Sequence, residues 1–348
     1  GVSMNEDKTR ASFDQIGFVY SNQIGNNTSL RFVNFGFNYH KSKNFNRLFS
    51  MGGALDNMSQ SFQLAQEMER YGLTESEFND ILDAKNPYTK YWNQLPVLGV
   101  MGVRTGVVDW FNDPEKNIHA PWGLNGFNNN FFSKETGGIS QYDFNVSFNI
   151  EDRVYLGATL GVYDMNYDRY TSYTENLNDD KGADNGGYTL DNYYRLEGTG
   201  MDLKLGVIVR PIESSPFRLG FAVHTPTWYD LRESYNATLS SDILAYEKPY
   251  IQTLSDFLVT PEYDYLTYDY NLTTPWKFNV SAGTTFAGAV AVGAEYEYQD
   301  YSSSKLKDVD GYELGDQPSV ENYLKGVHTF RIGMETRIIP EFSIRAGY

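Results

Sequence analysis

Four histidines, His40, His119, His224 and His328, are the residues most able to act as base, acid or metal ligand. They lie far apart in the chain and no pair has metal-ligand spacing, and there is no Cys at all. Thiolate metal sites, disulfide frameworks and a Cys nucleophile are thereby excluded. No strong nucleophile motif appears either, so no catalytic residue, metal site or cofactor is assigned and the chain does not read as an enzyme. Two stretches are dense in carboxylates, "NDDKGADNGG" and "DVDGYELGD". Neither has the full calcium-loop spacing with its closing Glu at the twelfth position. They read as solvated surface loops, the alternative being a weak Ca²⁺ or Mg²⁺ contact to an anionic envelope.

The formal net charge of −17 argues against nucleic acid as a partner, because phosphate binding needs clustered Lys and Arg. It fits an acidic surface in water, or one bridged by cations to an anionic envelope. The 348 residues contain 28 Tyr, 22 Phe and 31 Gly, a balance that suits a β-rich chain with aromatic girdles. No run of about 20 apolar residues exists to make a membrane helix. That says nothing against a membrane barrel, in which only alternate residues meet lipid.

What must position any site is a set of alternating strands. In "GAVAVGAEYEYQDYSSSKL", Val290, Val292, Ala294, Tyr296 and Tyr298 take every second place, with Ala291, Gly293, Glu295 and Glu297 between them. The same period runs through Phe144 to Ile150, Val154 to Val162, Leu203 to Val209, Leu219 to Val223, Phe278 to Ala282, Phe330 to Met334 and Phe342 to Tyr348. Ten strands follow, near 12–21, 30–40, 135–150, 153–172, 187–209, 216–235, 263–286, 288–303, 322–337 and 341–348. Short connections alternate with long ones, as in an up-and-down barrel with turns at one rim and loops at the other. The faces opposite the apolar rows carry Lys204, Gly206, Arg218, Gly220, Asn279, Ser281, Glu295 and Arg331. The expectation is lipid outside and a polar, Gly-lined lumen inside. His224 and His328 then become lumen or interface positions, and Tyr296, Tyr298, Tyr301, Trp228, Tyr229 and Trp276 an interface girdle.

One segment breaks the period of two. Leu64, Met68 and Tyr71 have helical spacing and stop at Gly72, while Thr74 and Glu77 form a capping box ahead of Phe78, Ile81 and Leu82. Two short amphipathic helices are therefore expected inside an insert at about 41–134. Because the short turns mark the periplasmic rim, the insert belongs to the extracellular one. It packs on itself as a cap, or forms a mouth for an apolar ligand.

"GTGMDLKLGVIVRPIESSPFRLGFAVHTPTWYDL" and "LTTPWKFNVSAGTTFAGAVAVGAEYEYQDYSSSKL" resemble the FadL-type family of outer-membrane transporters, in its Bacteroidota branch. The pieces that carry this are Gly198, Gly200, Lys204, the turn at Pro211, His224 to Pro226, Thr274 to Phe278, and the "EYEYQDYS" that follows, all within about 187–348. The N-terminal half matches only in layout, and the family's Asn-Pro-Ala hatch motif is missing. The only Asn-Pro is Asn86 and Pro87, inside the cap.

The resemblance implies an all-β, antiparallel up-and-down transmembrane β-barrel. It would have 14 strands in the full protein and about 10 in this chain, 1–348 forming a single domain with its small helical extracellular cap. It implies passive uptake of hydrophobic compounds such as long-chain fatty acids; the cap residues Leu64, Met68, Phe78, Ile81, Leu82 and Trp92 are the candidates to hold an acyl chain, with the nearby cation Arg104 for a carboxylate. Lateral exit would pass an early strand at Gly36. The partners expected are outer-membrane lipid and lipopolysaccharide of a Gram-negative bacterium, a hydrophobic small molecule and other outer-membrane proteins. Two other readings stand beside it: a structural or partner-docking barrel in a larger outer-membrane complex, and a porin for polar solutes.

Overall fold

The structure is a computed structural model and describes residues 13–115, 118–179, 181–244, 249–339 and 342–348. The N-terminal "GVSMNEDKTR", residue 12 at the start of the first expected strand and the 340–341 turn lie outside the described residues.

The strands and helices run β1 Gln15–Gln23, β2 Leu30–Asn44 and β3 Arg47–Ala54, then α1 Gln60–Arg70, α2 Glu75–Asp83, α3 Pro87–Lys90 and α4 Val97–Arg104. A hairpin of β4 Asp109–Asp113 and β5 Ile118–Trp122 precedes the long strands β6 Asn125–Ile150, β7 Val154–Asn178 and β8 Asp184–Val209. There follow β9 Arg218–His224, β10 Trp228–Ser241, β11 Tyr250–Thr253, α5 Ser255–Leu258, β12 Thr267–Thr273, β13 Lys277–Phe286, β14 Val290–Asp300 and β15 Lys305–Asp308. The last elements are α6 Gln317–Tyr323, β16 Gly326–Ile339 and β17 Phe342–Gly347.

The wall is antiparallel throughout and its order is β1, β2, β6, β7, β8, β9, β13, β14, β16, β17, which gives ten positions. β3 prolongs β2 along β6, β10 prolongs β9 along β8, and β12 prolongs β13. This is the up-and-down barrel wall that the alternation predicts. Among the described residues β1 and β17 do not pair with each other, so each leaves a free ladder edge. Two of the expected strands are each broken at a proline. Pro226 and Pro275 offer no N–H to the ladder, and the break is bridged by the Thr227 N–H donating to Thr274 Oγ1 at 2.8 Å.

Register settles which face is which. Val33, Phe148, Leu156, Val207, Phe221, Val280, Tyr296 and Phe330 are consecutive cross-strand partners, an apolar row spanning eight strands. Phe35, Val146, Ala158, Leu205, Val223, Phe278, Tyr298 and His328 form the next. Most of the large side chains in these rows are exposed on the outside, Phe221 and Phe278 at 50% and Phe330 at 70%. On β6 the belt runs from Tyr142 to Ile150 and on β14 from Val290 to Tyr298, nine positions in each case. At roughly 3.3 Å per residue that is about 26 Å along the strand, or about 20 Å of height at a barrel strand's tilt, and nine residues is the lower end of what a tilted membrane strand uses. Rows lie across the strands, so the belt steps by whole rows from β6 to β14, which is the stagger that a tilted wall requires.

The belt ends sharply. The row above Val162, Met201 and Trp228 is Ser140, Asp164, Thr199, Asp230 and Asn271, and above it Arg195 meets Asp168 at 2.7 Å and Arg232 meets Asp269 at 2.7 Å. Trp228 and Trp276 sit outside at this border. Tyr229, expected beside them, faces inward instead, its ring 5.8 Å from that of Tyr163. The cause is parity: Tyr229 is one residue on from Trp228 and so points to the other side.

The strands outrun their predicted ends at the loop rim, where residues 41–44, 47–54 and 125–134 are strand and not insert. Above the belt both faces meet water or the cap, so the oily-polar alternation that marks a strand in sequence disappears. A belt in contact with lipid makes a direct prediction. Val280→Arg, nearer the middle of the belt, should weaken folding into phospholipid vesicles by about 2–4 kcal/mol, whereas Asn279→Arg, on the opposite face, should leave it nearly unchanged; equal effects would contradict the two-faced wall.

Candidate functional site

The inner face is built by the same register. Asn34, Ser147, Gly157, Gly206, Ala222, Asn279, Glu297 and Thr329 form one row. Gly36, Asn145, Thr159, Lys204, His224, Lys277 and Gln299 form the row above. Small residues stand where the lumen needs room: a Cβ on Gly157 would meet no atom within 4 Å. A cavity of about 630 Å³ lies on this face, bordered by Thr159, Lys204, Arg218, His224, Asn279 and Glu295.

Several charged groups of the lumen are paired to one another, while Arg218 lies over the Tyr155 ring. Lys204 Nζ lies 3.0 Å from Asp143 Oδ1 and 3.7 Å from Asp202 Oδ1, and the Tyr163 hydroxyl donates to Asp202 Oδ2 at 2.8 Å. Gln141 Nε2 donates to Asp143 at 2.8 Å, and His40 Nδ1 stands 3.7 Å from the same carboxylate. Further round the wall Arg331 bonds Glu295 and lies 3.3 Å from Glu297, which Lys277 approaches at 3.7 Å. Asp143 and Asp202 are buried. Removing the ammonium between them leaves two buried carboxylates facing each other. Lys204→Met should therefore lower unfolding stability in detergent by about 3 kcal/mol, and adding Asp143→Leu should restore part of it; an unchanged denaturant midpoint would show the network to be idle.

Above this layer the inner face turns aromatic, with Tyr163, Tyr229, Tyr194 and Tyr235, and then meets the cap. The cap core packs Leu64, Met68, Phe78, Ile81, Val100 and Met101 against Leu177, Tyr188, Leu190, Ala237 and Leu239 of the wall. These wall residues all lie at the loop rim, so the cap is seated in the mouth of the lumen. Thr74 and Glu77 form the expected capping box, with Thr74 N–H to Glu77 Oε2 at 2.8 Å and Glu77 N–H to Thr74 Oγ1 at 3.3 Å. Gly72 ends α1 with φ +80°. Among its described residues the insert holds four helices where two were expected. α4, "VLGVMGVR", is apolar all round and has no stripe to read; Gly99 lets it close on α1, since a Cβ there would fall 2.2 Å from Met68 Sδ.

The residues proposed to hold a ligand are thereby placed. Leu64, Met68, Phe78 and Ile81 are buried in the cap core, Leu82 is exposed, and Trp92 packs on Tyr265 with ring centroids 5.4 Å apart. None of these six borders the two lumen cavities. The Arg104 guanidinium donates to the carbonyls of Ile81, Leu82 and Ala84, so it closes the C-terminal end of α2, a favourable place for a cation. Gly36, by contrast, borders a cavity of about 480 Å³ together with Val19, Asn34, Asn38, Asn145 and Thr159. An ideal Cβ on Gly36 would stand 3.4 Å from the Asn145 Cβ and 3.6 Å from Val19.

The histidines sit on separate elements. His40 and His224 face the lumen, His119 is in the β4–β5 hairpin, and His328 on the outer face is 2.7 Å from the Tyr296 hydroxyl. In the acidic loops Asp179 accepts from the Lys181 and Ala183 N–H groups and Asp308 from that of Tyr312, so these carboxylates shape their own loops. The lumen network was not found from sequence. Its signal was present in the polar parity of β6 to β8, but pairing Asp143 with Lys204 takes the register.

No family model and no curated protein matches the chain. Among solved structures it is similar to a CymD monoaromatic hydrocarbon channel, at 15% identity over 66% of this chain and 68% of that one, with a TM-score of 0.34. It is also similar to a FadL homologue of Pseudomonas aeruginosa, at 13% identity over 96% and 71%, with a TM-score of 0.36. Overlaps this loose leave the function to the geometry of the chain itself.

Proposed function

We propose that the chain is the wall and cap of a Gram-negative outer-membrane channel for passive uptake of hydrophobic compounds, long-chain fatty acids among them. The observation that carries the reading is the two-faced wall: one continuous apolar belt outside, a cavity-bearing lumen inside, and a folded cap in its mouth. No energy input is needed, because an apolar chain gains about 0.8 kcal/mol per buried CH₂ wherever it leaves water. The tyrosine layer beneath the cap offers ring faces for such a chain to slide along. On this reading Leu64, Met68, Phe78 and Ile81 set the position of the cap, Leu82 and Trp92 remain at its margin for capture, and Arg104 holds α2 in place.

Gly36 is the proposed point of exit, since it borders the 480 Å³ cavity beside β1, β2 and β6; the ladder is closed there, Gly36 pairing with Val19 and Asn145, so exit on this reading requires the strands to part. The free edges of β1 and β17 need pairing in lipid, where unmet N–H and C=O groups cost several kcal/mol each. Strands of the same barrel, as in a fourteen-stranded wall, would supply it.

Two observations favour other readings. The lumen cavity is bordered by charged and amide side chains, as a path for polar solutes would be. The same free edges would suit a docking barrel in a larger assembly. Proteoliposomes separate all three: the channel reading predicts uptake of a fluorescent fatty acid without swelling in arabinose, and Gly36→Trp should cut that uptake about tenfold while the barrel still folds. Swelling in sugar without fatty acid uptake would replace it with the porin, and neither activity with a stoichiometric co-purifying protein would replace it with docking. Uptake unaltered in Gly36→Trp would remove the exit from this position.

A further inference from the structure

The foot of the lumen holds three cations that no carboxylate of the wall neutralises. Arg153 stands one step below Val154 and Arg210 one step below Val209, so both take the inward parity, and the Arg210 N–H donates to the Arg153 carbonyl at 2.8 Å. The register of β8 and β9, in which Val209 faces Leu219, sets Arg218 opposite Arg210. Three guanidinium groups thus occupy consecutive cross-strand places at the rim of short turns, in a chain whose net charge is −17.

Like charges side by side across strands repel. Other lumen cations have carboxylate partners: Lys204 has Asp143, Lys277 has Glu297, Arg331 has Glu295 and Arg345 has Glu335. Among the described residues none of the three arginines forms an ion pair. The carboxylates nearest in sequence turn elsewhere, Glu151 Oε1 accepting from Ser29 Oγ at 2.9 Å and Asp152 Oδ1 from Asn149 Nδ2 at 2.8 Å. Arg210 donates instead to the backbone carbonyls of Asp152, Glu213 and Ser215, the first two at 3.3 Å, and its Nε, shut off from water, has no acceptor. Arg153 reaches the Pro211 carbonyl at 3.4 Å. The Arg218 guanidinium lies 5.9 Å from the centre of the Tyr155 ring and, among the described residues, makes no hydrogen bond.

There is room beside them. Arg218 borders both the 630 Å³ lumen cavity and a second one of about 800 Å³. The register carries its row on through Gly283, Gly293, Gly333 and Gly347, and a Cβ on Gly293 or Gly333 would meet only a backbone oxygen, at 3.7 and 4.0 Å. One row therefore joins a cationic end to an open floor.

We propose that Arg153, Arg210 and Arg218 form a phosphate site at the rim of short turns, inside the lumen. Guanidinium forks match phosphate oxygens, and hydrogen bonds between ionised partners are the strong ones. A phosphate near neutral pH carries more negative charge than a carboxylate, and so suits three cations better. Its source is either free inorganic phosphate or the head of a phosphorylated amphiphile whose chain lies on the glycine floor. The site rests on the two-faced wall and not on the identity of what the channel carries.

Calorimetric titration of the purified full chain in a non-ionic detergent, at neutral pH and a low ionic strength held constant with chloride, reads the binding directly. Sodium phosphate and hexyl phosphate are the two probes. Saturable binding is expected, weakened about tenfold or more in Arg218→Gln. Hexyl phosphate binding far more tightly than inorganic phosphate assigns the head of an amphiphile; equal affinities assign the free ion. Should Arg153→Gln or Arg210→Gln fail to fold, Arg218→Gln decides, since its guanidinium holds no hydrogen bond of the fold. No saturable binding of either probe overturns the site, as does an unchanged affinity in Arg218→Gln. Chloride competing as well as phosphate at matched ionic strength would mean charge screening alone and overturn it too.

Discussion

A backbone in a medium without water must satisfy every N–H and C=O within the protein, and the whole molecule is arranged around that requirement. Among the described residues the antiparallel ladder from β1 to β17 meets it across the wall, apart from the outer edges of those two strands, the breaks at Pro226 and Pro275 and a few bulges. Once the ladder is set, side chains have only two directions to go. Across a span of nine residues the outward parity is apolar and the inward parity small, polar or charged, so one sequence period decides both the surface that meets lipid and the lining of the lumen.

The same constraint explains why the lumen is so heavily cross-linked. A wall one residue thick has no core beneath it, and the inner polar groups must find partners along the wall itself. Lys204 reaches across β7 from β8 to Asp143 on β6, Tyr163 on β7 joins Asp202 on β8, and Arg331 on β16 joins Glu295 and Glu297 on β14. Conventional hydrophobic packing appears only at the loop rim, where the cap buries Met68, Ile81 and Met101 against β7, β8 and β10. Wall and cap are thus held by different forces, polar pairing below and apolar burial above.

Much of this was legible in the sequence, for the reason that membrane strands have a strict period. Phe144 to Ile150, Val154 to Val162 and Val290 to Tyr298 lie in the wall as their alternation indicates, and the ten wall positions follow. Where the period stops, so does legibility. The upper parts of β6 and β7 are rich in Asn, Tyr, Thr and Asp on both faces, because neither face meets lipid there. α4 was hidden because a helix buried on all sides has no stripe, and its Val and Gly residues favour other structures. Glu175 reads as a surface residue between Thr174 and Asn176; only the fold shows it sealed under the cap. Arg104 was legible as a cation near an apolar stripe, but the carbonyls it would meet depend on how α2 and α4 cross.

The claim on which everything else rests is that one sheet divides two solvents, and its most direct test is depth-dependent quenching in bilayers. Variants keeping only Trp228, only Trp276 or only Trp110 would be placed in vesicles of lipids brominated at successive acyl positions. The account predicts strong quenching of Trp228 and Trp276 by bromines near the headgroups, weaker quenching by deeper ones, and none for Trp110 in the cap. Equal, weak quenching of all three would mean that the belt does not face lipid, and the channel reading would fall with it.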